Sequence, residues 1–123
     1  MYLATCTRPD IAYSVGVLAR FSSKPNQSYW TAAKQVLRYL KGTSNLGIAF
    51  RGDNSDVPIA FSEADWAGDT GGRKSTSRYM FCIAGGPVSW QSKKQSTVAL
   101  STAEAEYVAL SSAAQECVWM RTH

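Results

Sequence analysis

The sequence predicts an α/β protein in which helices precede a small antiparallel sheet and one further helix. Three observations support this fold class. Apolar side chains recur at helical spacing over residues 8–22 and again over 28–41. Three strand-like apolar runs follow, at 57–66, 78–84 and 88–92. A helix-start signal then stands at residues 101–104.

The first half of the chain is predicted to contain two helices. Pro9 and Asp10 suit the start of the helix over 8–22, because proline is preset for the first turn and an acid complements the helix dipole there. The second helix spans 28–41, and a short strand is expected at 45–50. The packing face expected for the second helix consists of Trp30, Ala33, Leu37 and Leu40.

The second half is predicted to form a three-stranded antiparallel meander followed by one long helix. Ile59, Phe61 and Glu63 share one face of the first strand, because side chains alternate along a strand. Ser101 and Glu104 have the spacing of a capping box, with Glu104 expected to accept from the N–H of Ser101. The packing face expected for this helix consists of Tyr107, Leu110, Ala114 and Val118 or Cys117.

Charge divides the chain into two parts. The net charge is +4, but residues 1–52 hold seven lysines and arginines against one acid, a balance of +6. Residues 53–123 hold six against eight acids, a balance of −2. This asymmetry suggests two segments with different tasks, divided near residue 52.

Composition excludes several classes of protein. With 45% hydrophobic and 18% charged residues the chain is typical of soluble globular proteins, and no apolar run approaches the roughly 20 residues of a membrane span. The N-terminus lacks signal-peptide features, and three widely spaced cysteines without a C-x-x-C pair favour a reducing compartment. We therefore expect an intracellular protein, cytoplasmic or nuclear. The single histidine, His123, argues against Ser-His or Cys-His catalysis and against a histidine zinc site.

Two groups of basic residues are candidates for nucleic-acid binding. Lys34, Arg38 and Lys41 form a stripe along the second predicted helix. A second cluster consists of Arg73, Lys74, Arg78, Lys93 and Lys94. Both could bind phosphates, which requires positive charge at a suitable spacing. Both could equally be solvated surface charges.

Acidic residues at the end of the first strand and the start of the last helix suggest a metal site. Glu63 and Asp65 stand at the strand end, and Glu106 would approach Glu63 if the helix packs on the sheet. Clustered carboxylates repel one another unless a cation lies between them, and Mg²⁺ prefers oxygen ligands. The alternative is that these acids are ordinary solvated residues.

Longer motifs carry a resemblance to a known family. "SEADWAGDTGGRKSTSRYMF" and "GGPVSWQSKKQSTVALSTAEAEYVAL" resemble the ribonuclease H segment of copia-type long-terminal-repeat retrotransposon polyproteins. "TRPDIAYSVGVLARFSSKP" and "WTAAKQVLRYLKGT" resemble the stretch that links reverse transcriptase to that nuclease. The resemblance implies that 1–52 is the helical connection segment of reverse transcriptase. It implies that 53–123 is the N-terminal half of a ribonuclease H-like domain, here truncated to three antiparallel strands and one long helix.

The resemblance also implies a two-metal Mg²⁺ site of four carboxylates that cuts RNA in RNA–DNA hybrids. Glu63 falls on the family's first aspartate and Glu106 on its helical glutamate. Asp65 matches the second acid of the strand motif and is a further candidate catalytic residue, although it is not one of the four usual ligands. The implied partners are an RNA–DNA hybrid or other nucleic acid and the remainder of a Pol polyprotein, with no membrane.

Three departures from the family pattern lower the expected activity. Glu63 is one methylene longer than aspartate, Arg78 replaces a glycine, and the two later aspartates are expected beyond His123. We expect weak or absent Mg²⁺ binding and little nuclease activity from this chain alone. The alternative is a non-enzymatic relic, or a co-opted fragment that binds nucleic acid or a protein.

Overall fold

A computed structural model describes residues 1–52 and 57–122 of the chain. The chain divides into two compact units, Met1–Ala49 and Phe50–His123. Helices in the first unit and a three-stranded antiparallel sheet with a long helix in the second confirm the predicted α/β class. No helix in the described ranges is long and apolar enough to cross a membrane. Part of the expected junction, residues 53–56, lies outside the described residues.

The first unit is helical throughout its regular structure. Its elements in chain order are helix α1 (Tyr2–Cys6), a 3₁₀ turn (Pro9–Ile11), helix α2 (Ala12–Arg20) and helix α3 (Gln27–Gly42). Asn26 caps α3, since its side chain accepts a hydrogen bond of 3.0 Å from the N–H of Tyr29. Both predicted helices are present. The short α1 was not predicted, and the strand expected at 45–50 is wrong, because these residues form no ladder.

Helix α3 presents a different face to α2 from the one predicted. Trp30 and Leu37 are 59% and 65% exposed, so their assignment to the packing face is wrong. Ala32 and Val36 instead line an open groove of about 650 Å³ shared with α2. The apolar positions of α3 cover more than one stripe of the helix, and periodicity alone did not decide which stripe meets α2.

An ion pair between buried Arg8 and exposed Asp10 ties the start of the first unit to the end of α3. Arg8 is 7% exposed and donates hydrogen bonds of 2.9 and 2.7 Å to the Asp10 carboxylate. It also donates to the carbonyl and hydroxyl oxygens of Thr43, and the Tyr39 hydroxyl donates to Asp10 at 2.9 Å. The hydrogen bond from Arg8, and then that from Tyr39, lower the pKa of Asp10 to about 2 against the opposing effect of burial.

The second unit is a meander followed by a helix. Its elements are strands β1 (Ile59–Asp65), β2 (Thr76–Ile83) and β3 (Gly86–Lys94) and helix α4 (Thr102–Thr122). The strands are antiparallel in the order β1-β2-β3, with a register irregularity between Phe81 and Cys82. The predicted cap of α4 by Ser101 is confirmed, since its hydroxyl accepts from the Glu104 N–H at 3.1 Å. The reciprocal bond to the Ser101 N–H is wrong, because the Glu104 carboxylate accepts from the Leu100 N–H at 2.7 Å.

Helix α4 packs on the sheet face that contains Ser77 and Phe81. Gln95, just after β3, joins helix and sheet by donating to the Ser77 hydroxyl and the Ala105 carbonyl, each at 2.9 Å. On the same sheet face, the Ser89 hydroxyl donates to Glu116 of α4 at 2.6 Å. Strand alternation therefore leaves the opposite sheet face, with Phe61, free of α4.

The buried stripe of α4 consists of alanines and not of its large apolar residues. Ala105 and Ala109 are fully buried and Ala113 nearly so. Tyr107 is 76% exposed and Leu110 is 57% exposed. The predicted packing face is therefore wrong, since Ala114, Cys117 and Val118 are exposed as well. Alanine contributes little to a hydrophobic pattern, but its short side chain lets the helix backbone lie close to the sheet.

Candidate carboxylate site and nucleic-acid interface

Glu63 lies near the end of β1, directly across from Arg78 of β2. The Arg78 Nη1 atom donates to Glu63 Oε1 at 2.6 Å, and the side chains are 34% and 62% exposed. A guanidinium at this distance supplies the positive charge that a carboxylate at a strand end would otherwise lack. The structure thus places Glu63 in an ion pair within the sheet.

Glu106 lies in the first turns of α4 and is exposed. Glu63 is two residues from Phe61 along β1 and therefore lies on the same sheet face. Helix α4 packs on the other face. The geometry gives no sign that the two carboxylates converge. Within the described ranges, no group of three or more His, Cys, Asp or Glu side chains is arranged to hold a metal ion.

Asp65 shapes the turn that follows β1. A Cβ atom placed on Gly68 would meet the Asp65 carboxylate, which would have to rotate away to make room for it. Ala67, which directly precedes Gly68, has a positive φ of 53° and donates its N–H to the Ser75 hydroxyl at 3.1 Å. The Asp65 carboxylate therefore lies against the backbone of the turn that follows β1.

The side chains as placed do not fit a Mg²⁺ ion. Mg²⁺ requires several oxygen ligands in near-octahedral arrangement. Glu63 offers a carboxylate that already receives a guanidinium, and Glu106 belongs to a helix on the other side of the sheet. No catalytic step through a metal follows from this arrangement.

Most of the second basic cluster makes contacts inside its own unit. Arg78 pairs with Glu63, Lys94 pairs with Asp69 at 2.5 Å, and Lys74 donates to the Ser96 carbonyl at 2.5 Å. The remaining members, Arg73 and Lys93, are exposed. These contacts stabilise the turns around the sheet, and they reduce the charge available to a phosphate backbone.

The basic stripe of α3 has a different character. Lys34, Arg38 and Lys41 are exposed, and the Lys34 ammonium lies 5.4 Å from the centre of the Trp30 ring. Sequence reasoning placed Trp30 and Leu37 in the helix packing face, so it missed them as surface residues. Their spacing could have indicated a surface position, because residues four apart lie on the same side of a helix. Trp30 precedes Lys34 by four positions and Leu37 precedes Lys41 by four. We name these five residues the α3 surface: Trp30, Lys34, Leu37, Arg38 and Lys41.

Fold and site together define a small two-unit α/β chain with a basic helical unit and an ion-paired sheet. Comparison with known proteins supplies its family. The chain is 53% identical over 120 residues to the secreted RxLR effector protein 161 of Plasmopara viticola, covering 98% of this chain and 84% of that protein. It is 46% identical over 121 residues to the retrovirus-related Pol polyprotein from transposon TNT 1-94 of Nicotiana tabacum, covering 98% of this chain and 9% of the polyprotein.

A third relative, like the second, is a retrovirus-related Pol polyprotein from a plant transposon. The retrovirus-related Pol polyprotein from transposon RE2 of Arabidopsis thaliana is 43% identical over 119 residues, which is 97% of this chain and 8% of the polyprotein. The chain belongs to the family of the Plasmopara viticola protein, and nearly its whole length is homologous to copia-type retrotransposon Pol polyproteins. It spans less than a tenth of the length of these two polyproteins. No protein-family profile and no solved structure matches it.

Proposed function

We propose that the chain is a nucleic-acid-binding piece of the ribonuclease H region of a copia-type Pol polyprotein. Residues 1–52 would be the end of the reverse transcriptase connection, and 53–123 the first half of the nuclease domain. In a complete polyprotein this region would serve the Mg²⁺-dependent hydrolysis of RNA in RNA–DNA hybrids. The resemblance implies Glu63 and Glu106 as ligands, which here lie on opposite sides of the sheet and would have to be brought together. The proposal is supported by the homology to Pol polyproteins and by the motifs around both acids.

One observation supports nucleic-acid binding without hydrolysis by this chain. The ion pair between Glu63 and Arg78 neutralises the carboxylate on which a metal would depend. A metal would have to displace the guanidinium, which costs the Glu63–Arg78 hydrogen bond and leaves two cations close together. We therefore assign to the chain alone the binding of nucleic acid without cleavage.

A second candidate function is non-enzymatic. The Plasmopara viticola relative matches this chain over 84% of its own length and is named a secreted effector protein. A sequence of this extent thus occurs in a protein not much longer than this one. Under this alternative the chain is a relic or a co-opted fragment, and its partner is nucleic acid or another protein.

The test is a Mg²⁺-dependent cleavage assay on an RNA–DNA hybrid. The 123-residue chain is compared with a chimera extended by the segment that follows the matched region in the tobacco polyprotein. Both are made with and without Arg78→Gly and Glu63→Asp. We expect no cleavage by the unextended proteins and cleavage by the chimera, strongest when both substitutions are present. Glu106→Gln in the most active chimera is the control and should abolish cleavage.

Two results would overturn the proposal. Cleavage by the unextended chain that is lost with Glu106→Gln would make it a complete nuclease. A folded chimera with both substitutions that does not cut the hybrid would leave the non-enzymatic alternative in its place.

A further inference from the structure

Helix α3 carries two large apolar side chains on the outside of the first unit. Trp30 is 59% exposed and Leu37 is 65% exposed, although Ala32 and Val36 of the same helix line the groove with α2. Exposed apolar side chains also occur on α4, so exposure alone does not identify a binding surface. The composition of the α3 surface indicates what kind of partner it binds.

Basic and apolar residues alternate along the axis of the α3 surface, while around the helix Leu37 and Trp30 form one edge of the strip and Lys41, Lys34 and Arg38 the other. At 3.6 residues per turn, its five members fall within an arc of about 100° and extend about 16 Å along the helix. Trp30 and Leu37 alternate with Lys34 and Lys41, and Arg38 borders the same strip. Each apolar side chain therefore has a cation beside it, as the 5.4 Å approach of Lys34 to the Trp30 ring shows.

This alternation argues against a lipid surface. Helices that lie in a membrane interface separate their apolar face from their basic face, so that one side enters the acyl region and the other remains in water. On α3 the cations share the strip with Trp30 and Leu37, and the opposite side of the helix, with Val36, faces α2.

The same alternation suits a polyanion with exposed aromatic faces. A single-stranded nucleic acid offers both, because its phosphates are regularly charged and its bases are free to stack. In a duplex the base faces are already stacked on one another and are closed to Trp30. The first 52 residues carry a net charge of +6, and among the described residues neither Arg38 nor Lys41 forms an ion pair.

From this geometry we infer that the α3 surface is a binding site for single-stranded nucleic acid. Trp30 stacks on a base, while Lys34, Arg38 and Lys41 contact the flanking phosphates. Leu37 extends the apolar platform along the helix axis. The inference rests on the proposed association with nucleic acid and deepens it, since it assigns the unpaired strand to α3.

The test measures binding of the full chain to four probes by fluorescence anisotropy. They are an oligothymidylate of about 12 nucleotides, an abasic strand with the same number of phosphates, a duplex of the same length, and anionic phospholipid vesicles. We expect the oligothymidylate to bind most tightly. Trp30→Ala should weaken its binding about tenfold, the lower part of the range for one stacked base, and leave the abasic strand unaffected.

Matched variants separate stacking and charge from general damage. Trp119→Ala removes a tryptophan of similar exposure, 55%, from α4 and should leave binding unchanged, and Trp30→Phe should retain most of it. Replacing Lys34 and Lys41 by alanine should reduce the log–log salt slope by about 1.4, that is about 0.7 for each lost contact with a single strand. Replacing Lys24 and Arg121 instead removes equal charge and should not change the slope by this amount.

The outcomes distinguish this inference from the proposed function. If Trp30→Ala weakens binding to the abasic and thymidine strands equally, stacking is refuted. If vesicles bind more tightly than the oligothymidylate, a lipid surface replaces nucleic acid as the partner. If α3 variants bind like the unmodified chain while the extended chimera still cuts hybrid, the α3 site is refuted and the proposed function stands.

Discussion

Two alanine-to-leucine substitutions on α4 test which stripe of the helix faces the sheet. Ala109 is fully buried, whereas Ala114 is exposed near the middle of the same helix. Leucine adds an isopropyl group in both cases and has nearly the helix propensity of alanine. Any difference between the two variants therefore reports the surroundings of the side chain.

The expected difference is large. Overpacking a close-packed site costs about 1–3 kcal/mol, so Ala109→Leu should lower the midpoint of thermal unfolding by about 4–20 °C in a unit of this size. Ala114→Leu meets no neighbour and should change the free energy of unfolding by no more than about 0.5 kcal/mol.

Tryptophan fluorescence provides a selective assay. In a Trp30→Phe background the remaining tryptophans, Trp66, Trp90 and Trp119, all lie in the second unit, so their signal follows that unit alone. If Ala114→Leu costs as much as Ala109→Leu, or more, the packing of α4 on its alanine stripe is wrong.

Three further predictions follow from individual contacts. The pKa of Asp10 is lowered from 3.8 to about 2, so its ion pair stabilises the fold at pH values above 3.8, and this stability is lost as the pH falls toward 2. In acid titrations followed by circular dichroism, Asp10→Asn should remove this loss, and an unchanged titration would count against it. Gly68→Ala should cost about 0.5–1.5 kcal/mol in urea unfolding because the new Cβ forces the Asp65 carboxylate out of its rotamer, and Asp65→Ala should recover part of that cost, whereas equal costs in both backgrounds would exclude the clash. Gln95→Ala should cost about 2 kcal/mol through two lost hydrogen bonds and a cavity. Gln95→Met should cost less because the buried Gln95 Oε1 accepts no hydrogen bond from the described residues, and the opposite ranking would contradict this account.

The elements of the fold were largely predictable from local signals. The spacing of Ser101 and Glu104 predicted the start of α4, and the turn-rich segments between apolar runs predicted the meander. Helix α1 was missed because its five residues are too few to show a helical period. The orientation of α4 was missed because Tyr107 and Leu110 give a stronger apolar pattern than Ala105 and Ala109, although the alanines are the residues that are buried.

The partners of the site residues depend on strand register, which the sequence does not display. Glu63 meets Arg78 because the turn between β1 and β2 sets that register. A slip of one residue would move Glu63 opposite Ser77 or Tyr79 and change which side chains share its face. The placement of Trp30 on the surface likewise required knowing which side of α3 meets α2.

The sheet order β1-β2-β3 has a consequence for how the second unit folds. Among the described residues every strand pairs with its neighbour in the chain, and seven residues separate β3 from α4, so the strand pairings are local in sequence. Closing short loops costs little entropy, and such topologies fold faster than those with crossover connections. The three strands of the second unit can therefore pair early in its folding.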